Sequence, residues 1–392
     1  MHHITIAVAV LGAAAWTAGA FAATVDSTTS MSNENDQSAF ASASKASSGA
    51  RVYTFDASAE GWTFGNPLPF SAASGTRSQA AGTLDIQTTT RGVFAFFESP
   101  MIDPPAGTGA IYRATFRVST DQTDRFQVPQ IRYRASSENF EQTNELIVTS
   151  TDGIHGRAFY SPLSNGHEYE QLFTLPSASG KVRLDFDVQN GPEDAAASRV
   201  SLDNVQLDRI DLPATTPASV LSYDFSSGDA HGFQTLHHPT LTPPQLAYST
   251  TSDGLSIQGD NGTGTTAPGA LSFGCWTLTD PSAKFEADRL YRVDWQVASD
   301  ATSANSHSLP TFRLRVNSAS FMFASLVDVE PGNATASLPS TSGTVVYTSY
   351  FRAPVEIDGE AMIFSFDYLG QQALRPDATL RISLRNLSVT TY

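Results

Sequence analysis

Glu356, Asp358 and Glu360 stand two residues apart. On a β-strand that period turns all three carboxylates to one face. Two of them would then serve retaining glycoside hydrolysis as nucleophile and acid, with the third tuning their pKa values. The local sequence argues otherwise. Asp358-Gly359 is a turn dipeptide, and the segment lies between Pro354 and the next apolar run. A solvated turn is the expectation, with hydrolysis by this trio as the alternative. His231, His237 and His238 cluster near Asp229 with the donor types a metal takes, but they fall among Pro239, Pro243 and Pro244 and read as a polar loop. His155 and His167, each beside a glycine, read the same way. No G-x-S-x-G, H-E-x-x-H or glycine-rich phosphate loop is present.

Binding chemistry has more to work with. In Tyr112–Val118 the apolar residues alternate with Arg113, Thr115 and Arg117, and Arg132 and Arg134 share one face of Ile131–Arg134. Arg292, Arg313 and Arg315 recur later in the chain. Arginine on a strand face makes paired hydrogen bonds to an anionic or hydroxyl-rich glycan. The competing role is cross-strand pairing with Asp185, Asp187 or Asp367, which alternate on other strands. Trp62 and Trp295 read as core residues, whereas Trp276 is a candidate ligand contact. Pro67–Phe70 and Phe94–Phe97 could build an aromatic rim, while Phe94 and Phe96 also fit a buried strand face.

These residues need a scaffold, and composition bounds it. The 392 residues carry 39 acids and 23 bases, for a net charge of −16. Such a chain has no electrostatic reason to hold nucleic acid. Only Lys45, Lys181 and Lys284 are lysines, so no polybasic patch serves an anionic membrane. A 40 % hydrophobic content with 24 Phe and 12 Tyr is enough for real cores. The single cysteine, Cys275, excludes a disulfide scaffold and reads as a small buried hydrophobe beside Trp276.

Residues 1–22 have a signal-peptide plan: a short head, an apolar run from Ile4, and Ala20-Phe21-Ala22 as the cleavage site. Export to the cell surface, periplasm or medium follows, with no membrane insertion after cleavage. Residues 23–50, rich in Ser, Ala and Thr, read as a flexible leader.

From Arg51 the chain consists of short alternating apolar runs divided by Gly, Pro, Asn and Asp, the pattern of an all-β sandwich. It is also written twice. Tyr112-Arg-Ala-Thr-Phe-Arg-Val matches Tyr291-Arg-Val-Asp-Trp-Gln-Val, and Arg199-Val-Ser-Leu-Asp-Asn-Val matches Arg381-Ile-Ser-Leu-Arg-Asn-Leu. Seven such blocks recur in the same order. Two tandem antiparallel jelly-roll domains are expected, at 51–212 and 219–392, with a stiff linker at 213–218.

The opening Phe55-Asp-x-x-x-x-Gly-Trp62, the Tyr-x-x-x-Phe-x-Val strand and the closing Ser201-Leu-Asp-Asn-Val-x-Leu207 resemble the jelly-roll carbohydrate-binding modules of bacterial secreted glycanases, within the galactose-binding-like group. That resemblance implies glycan binding and, in many such modules, a structural calcium between the first and last strands. Asp56 and Asp203 would supply its carboxylates in the first copy. Ser226 and Arg385 hold the matching positions in the second, which argues against a site there. The Glu356–Glu360 spacing also resembles that of a family of jelly-roll glucanases, without their aromatic subsites. The expected function is a secreted, non-catalytic protein binding extracellular or cell-surface polysaccharide. The alternatives are a structural or adhesive surface protein and, last, a glycoside hydrolase. Oligomeric state is left open.

Overall fold

The computed structural model describes residues 50–65, 76–80, 82–88, 94–103, 111–121, 130–137, 143–147, 150–151, 157–158, 167–174, 181–189, 198–237, 246–260, 271–299, 311–320, 323–329, 344–371 and 379–392. The expected signal peptide and leader, Pro67–Phe70, His155 and His238 lie outside them, and His167 and His237 are described in backbone only. The described residues form antiparallel β-structure and two 3-10 turns, with no α-helix.

Period-two patterning accounts for the strands. In Ile111–Thr120 the residues Tyr112, Ala114, Phe116 and Val118 are buried, while Arg113, Thr115 and Arg117 face away. Leu290–Ser299 repeats this with Tyr291, Val293, Trp295 and Val297. Phe116 and Trp295 are fully buried, each contributing about 1.5–3 kcal/mol by leaving water.

In the first half of the chain, one sheet runs His167–Phe173, Ile111–Thr120, Ser198–Ile210, Thr83–Thr88, Thr76–Ala80, with Arg51–Tyr53 also paired to Ser198–Ile210. The second half repeats that order with Val345–Arg352, Leu290–Ser299, Thr379–Thr391, Gly254–Asp260 and Leu246–Thr251, and Ala218–Asp224 pairs with Thr379–Thr391. Facing these two six-stranded sheets is one continuous ten-stranded sheet. Its second-half strands are Gln234–His237, Leu271–Lys284, Ala361–Gln371, Thr311–Ser318 and Ala324–Val329. Its first-half strands follow as Thr143–Ile147, Gln130–Ser137, Val182–Gln189, Phe94–Glu98 and Thr63–Gly65. Consecutive strands of each half cross repeatedly between the two layers, which is the jelly-roll manner of winding.

The halves meet where Thr143–Ile147 pairs with Ala324–Val329. One hydrophobic cluster runs through both halves, from Tyr53 to Val389. Each half has an aromatic trio at equivalent positions. Trp62 meets Tyr53 and Phe55 edge-on, and Phe233 meets Tyr223 and Phe225 edge-on. The turn into Gly254–Asp260 requires glycine: Gly254 has φ +110°, and a Cβ there would run into the Leu384 carbonyl.

Candidate functional site

The sequence-derived arginines fall on two different surfaces. Arg113, Arg117 and Arg292 lie on the outer faces of the six-stranded sheets. Arg132, Arg134, Arg313 and Arg315 lie on the outer face of the ten-stranded sheet. The expected single arginine face in each copy is therefore corrected to two faces separated by the core. Each strand shows one outer face, and these strands belong to opposite layers.

Most of these arginines stand against acids. Arg113 donates from Nε to Asp208 Oδ1 at 3.0 Å and from Nη2 to Oδ2 at 2.6 Å, and Asp208 is buried. That bidentate bond holds the guanidinium more firmly protonated than usual. Arg292 meets Asp294 at 2.9 Å. Arg117 stands opposite Asp203 and Glu168 in register. Arg315 meets Asp367 at 2.6 Å and donates to it from Nη2 at 2.9 Å. Arg313 stands opposite the same Asp367.

The densest array is in the first half of the ten-stranded sheet. Arg134 meets Asp187 through Nε at 2.7 Å and donates from Nη2 to Oδ1 at 3.0 Å, while Arg132 meets Asp187 at 3.3 Å. Arg183 meets Glu98 at 2.9 Å. Asp187 is 0 % exposed and Asp185 1 %. Asp185 differs from its neighbour. Neither of its oxygens has a hydrogen-bond partner, and the nearest guanidinium nitrogen, Arg134 Nη2, is 4.0 Å away. Burial pushes its carboxyl up to about 7, with Asp187 and Glu98 adding to the rise and Arg134 opposing it.

Register joins this array to its counterpart. Glu98, Asp185, Arg134, Glu145, Leu326, Arg315, Ser365 and Thr277 are successive partners along one row across the ten-stranded sheet. The outer face is thus continuous from one half to the other, with polar positions on both sides of Leu326.

Phe96 belongs to this face, which corrects the buried-face alternative for it. Ala95 and Phe97 are the buried residues of Phe94–Glu98, and Phe96 is half-buried beside its partners Asp187 and Gly65. Glu98, two residues on, carried the signal: a charged residue marks the outward parity of the strand.

Trp276 is not on this face. It is buried in the core, donates from Nε1 to the Ser256 carbonyl at 3.1 Å and meets Tyr248 edge-on. Alternation decides it: Cys275 takes the outward parity opposite Asp367, so its neighbour Trp276 must point in. Cys275 is itself fully buried, and burial together with the Asp367 carboxylate pushes its thiol far above the usual range.

The Glu356–Glu360 trio is not on a strand. Glu356 lies in the 3-10 turn Val355–Ile357, and Asp358-Gly359 is a turn with Gly359 at φ +75°. Asp358 Oδ1 accepts from the Ala287 amide at 2.8 Å, and Glu360 Oε2 from the Ser320 amide at 2.9 Å. The period-two premise for a shared face does not hold in a turn. His231 likewise serves its own loop. It contacts the Asp224 carbonyl through Nε2 at 2.9 Å and stacks on Tyr223.

For calcium the halves differ. In the first, Asp56 and Asp203 are close enough that Asp56 adds to the rise that burial gives the Asp203 carboxyl. Asp203 sits at a register shift of the closing strand and accepts from Asn204 Nδ2 at 2.7 Å. Two carboxylates and an amide oxygen suit a hard cation by donor type. Among the described residues no group of three or more His, Cys, Asp or Glu is placed to hold a metal. In the second half Arg385 is 3.5 Å from Asp253, and Asp224 caps a 3-10 turn by accepting from the Ser226 amide at 2.9 Å. That arrangement does not fit a cation.

No family model and no curated protein matches the chain. Among solved structures it is similar to the tandem CBM22-1–CBM22-2 domains of Paenibacillus barcinonensis Xyn10C, at 9 % identity and TM-score 0.26, over 87 % of this chain and 97 % of that one. It is similar to the ANXUR2 extracellular domain of Arabidopsis thaliana at 9 % identity and TM-score 0.24, over 84 % and 88 %. It is also similar to Caldicellulosiruptor saccharolyticus CBM27-1 in complex with mannohexaose at 10 % identity and TM-score 0.27, over 44 % and 97 %. At such scores these likenesses carry no weight for ligand or activity.

Proposed function

We propose that the chain is an exported, non-catalytic protein of two jelly-roll copies, at 51–212 and 219–392, that binds glycan on the outer face of the ten-stranded sheet. The observation that carries this reading is the first-half array. A half-buried aromatic ring, Phe96, lies beside Asp187 and the part-exposed guanidinium groups of Arg132 and Arg134. Sugar rings offer an apolar face for stacking and hydroxyl oxygens that accept from a guanidinium. The test is retention on a panel of polysaccharides by affinity electrophoresis or a glycan array. Phe96→Ala is expected to weaken retention about three- to tenfold, the loss of one aromatic contact. The Arg132→Ala/Arg134→Ala double variant is expected to abolish it, with some loss of stability because Asp187 is then unpaired. No retention of any polysaccharide by the unaltered protein overturns the reading.

A structural or adhesive role is favoured by one observation: Arg113, Arg132, Arg134, Arg292 and Arg315 already have carboxylate partners. Hydrolysis by Glu356, Asp358 and Glu360 is the least supported reading. Release of reducing sugar that disappears in Glu356→Ala would revive it.

Calcium belongs to the same proposal, held in the first half by Asp56 and Asp203. Its contribution would be to tie the opening segment to the closing strand. Added calcium is expected to raise the unfolding midpoint, by mass action worth about 2.7 kcal/mol at a hundredfold excess over Kd. Asp203→Asn is expected to remove that response, and a midpoint unmoved by calcium or chelator in the unaltered protein refutes the site.

A further inference from the structure

The seam between the halves joins each half to its own equivalent. Arg134 stands opposite Glu145 in the first half, and its repeat-mate Arg315 stands opposite Leu326 in the second. Glu145 and Leu326 are therefore equivalent positions, and they are also register partners across the seam. Around them Leu146 faces Ser325, Asn144 faces Val327, Ile147 faces Ala324 and Thr143 faces Asp328. Each of these pairings is the two-fold mate of another. A contact between equivalent surfaces related by a two-fold axis is the isologous geometry of a homodimer, here inside one chain.

The other layer obeys the same axis. A separate apolar cluster of Ile111, Leu172, Leu290 and Tyr350 is flanked by Ile210 and Tyr392. By the repeat alignment these are three equivalent pairs: Ile111 with Leu290, Leu172 with Tyr350, Ile210 with Tyr392. Two polar contacts cross this layer. Arg352 donates from Nε to Glu170 Oε1 at 3.1 Å, and Thr174 Oγ1 donates to the Thr348 carbonyl at 3.2 Å. Thr174 and Thr348 are the repeat-mates of Arg352 and Glu170, so the two contacts are symmetry mates with different chemistry.

We propose that the seam is a self-sufficient protein–protein interface, whose partner for the first half is the second half of the same chain, and that it selects this mixed pairing over like with like. Two first halves would set Glu170 against Thr174, and two second halves would set Arg352 against Thr348. The mixed pair sets Arg352 against Glu170 and gains one ion pair. Separation would expose Ile111, Leu172, Leu290 and Tyr350, all buried in the joined form, together with two unpaired strand edges. The linker takes no part in this burial, because residues 211–219 are all exposed.

The experiment uses the full chain with a protease site placed in Pro213–Pro217. After complete cleavage, the two pieces are expected to co-elute at the mass of the intact chain at about micromolar concentration, by size exclusion with light scattering. Elution as separate pieces overturns the interface, and like-with-like dimers overturn its selectivity. Arg352→Glu is expected to weaken the cleaved complex about tenfold, and Glu170→Arg/Arg352→Glu to restore it. An affinity unchanged by the reversal, or not restored by the swap, also removes the selectivity. None of these outcomes depends on glycan binding.

Discussion

Replacing Asp187 by alanine is expected to cost the fold about 3–5 kcal/mol, read as a drop in the urea midpoint at pH 7. Asp187 is fully buried and meets both Arg132 and Arg134, whose side chains are only 12 % and 25 % exposed. Removing one partner of a buried pair leaves the other charge with its desolvation cost and no compensation, which is why the effect exceeds that of a surface bridge. Asp367→Ala is the matching variant in the second half, where Arg315 meets the buried carboxylate at 2.6 Å and Arg313 stands opposite it. A loss of the same order is expected there. Equal, negligible losses at both positions would mean that these acids are solvated and that the sheet face is an ordinary surface.

Acidification should stabilise the protein before it denatures it. The Asp185 carboxyl is raised by burial from 3.8 to about 7. Between those values the folded protein holds a proton that the unfolded chain releases. The stability contributed by that proton is therefore complete below about pH 4 and is lost as pH rises through about 7. The rise from 3.8 to about 7 corresponds to about 4 kcal/mol between pH 4 and pH 8, and Asp185 is 1 % exposed, so solvent screens little of it. Asp185→Asn should remain about as stable at pH 8 as at pH 5, because an amide needs no proton to lose its charge. The unfolding midpoint against pH reads this directly. A midpoint that rises from pH 5 to pH 8, or an Asn variant with the same profile as its parent, refutes it. Asp280 works in the other direction and at lower pH. Bonds from Ser282, Ala283 and Tyr223 hold its carboxyl below the usual value, so its contribution is lost as pH falls toward that lowered value.

Much of the architecture was legible in the chain because β-structure writes its faces at period two. Tyr112, Ala114, Phe116 and Val118 announce a strand with one buried face, and Tyr291, Val293, Trp295 and Val297 announce its copy. The turn at Asp358-Gly359 was legible for the same kind of local reason. Which of two adjacent aromatics points inward was not. Phe94-Ala-Phe-Phe97 offers a large residue to both faces, with only the charge of Glu98 to mark the parity, and Cys275-Trp276 offers an apolar residue to both with no charged residue beside it. The pairing of Phe97 with Phe64, and of Trp276 with the Ser256 carbonyl, settled it.

What the amino-acid order determined on its own is the all-β class, the alternation that makes each strand two-faced, and the repetition of one plan. These follow from side-chain periodicity and turn chemistry, which act over a few residues. What tertiary structure alone decided is which strand faces share a layer, which arginine meets which acid, and how the repeats are joined. Arg113 and Arg132 look alike in the sequence and end on opposite sides of the core. Glu145 and Leu326, 181 positions apart by their numbers in the chain, meet at a two-fold axis. Contacts of that range depend on register between strands distant in sequence, and register is set by the packing of the whole core.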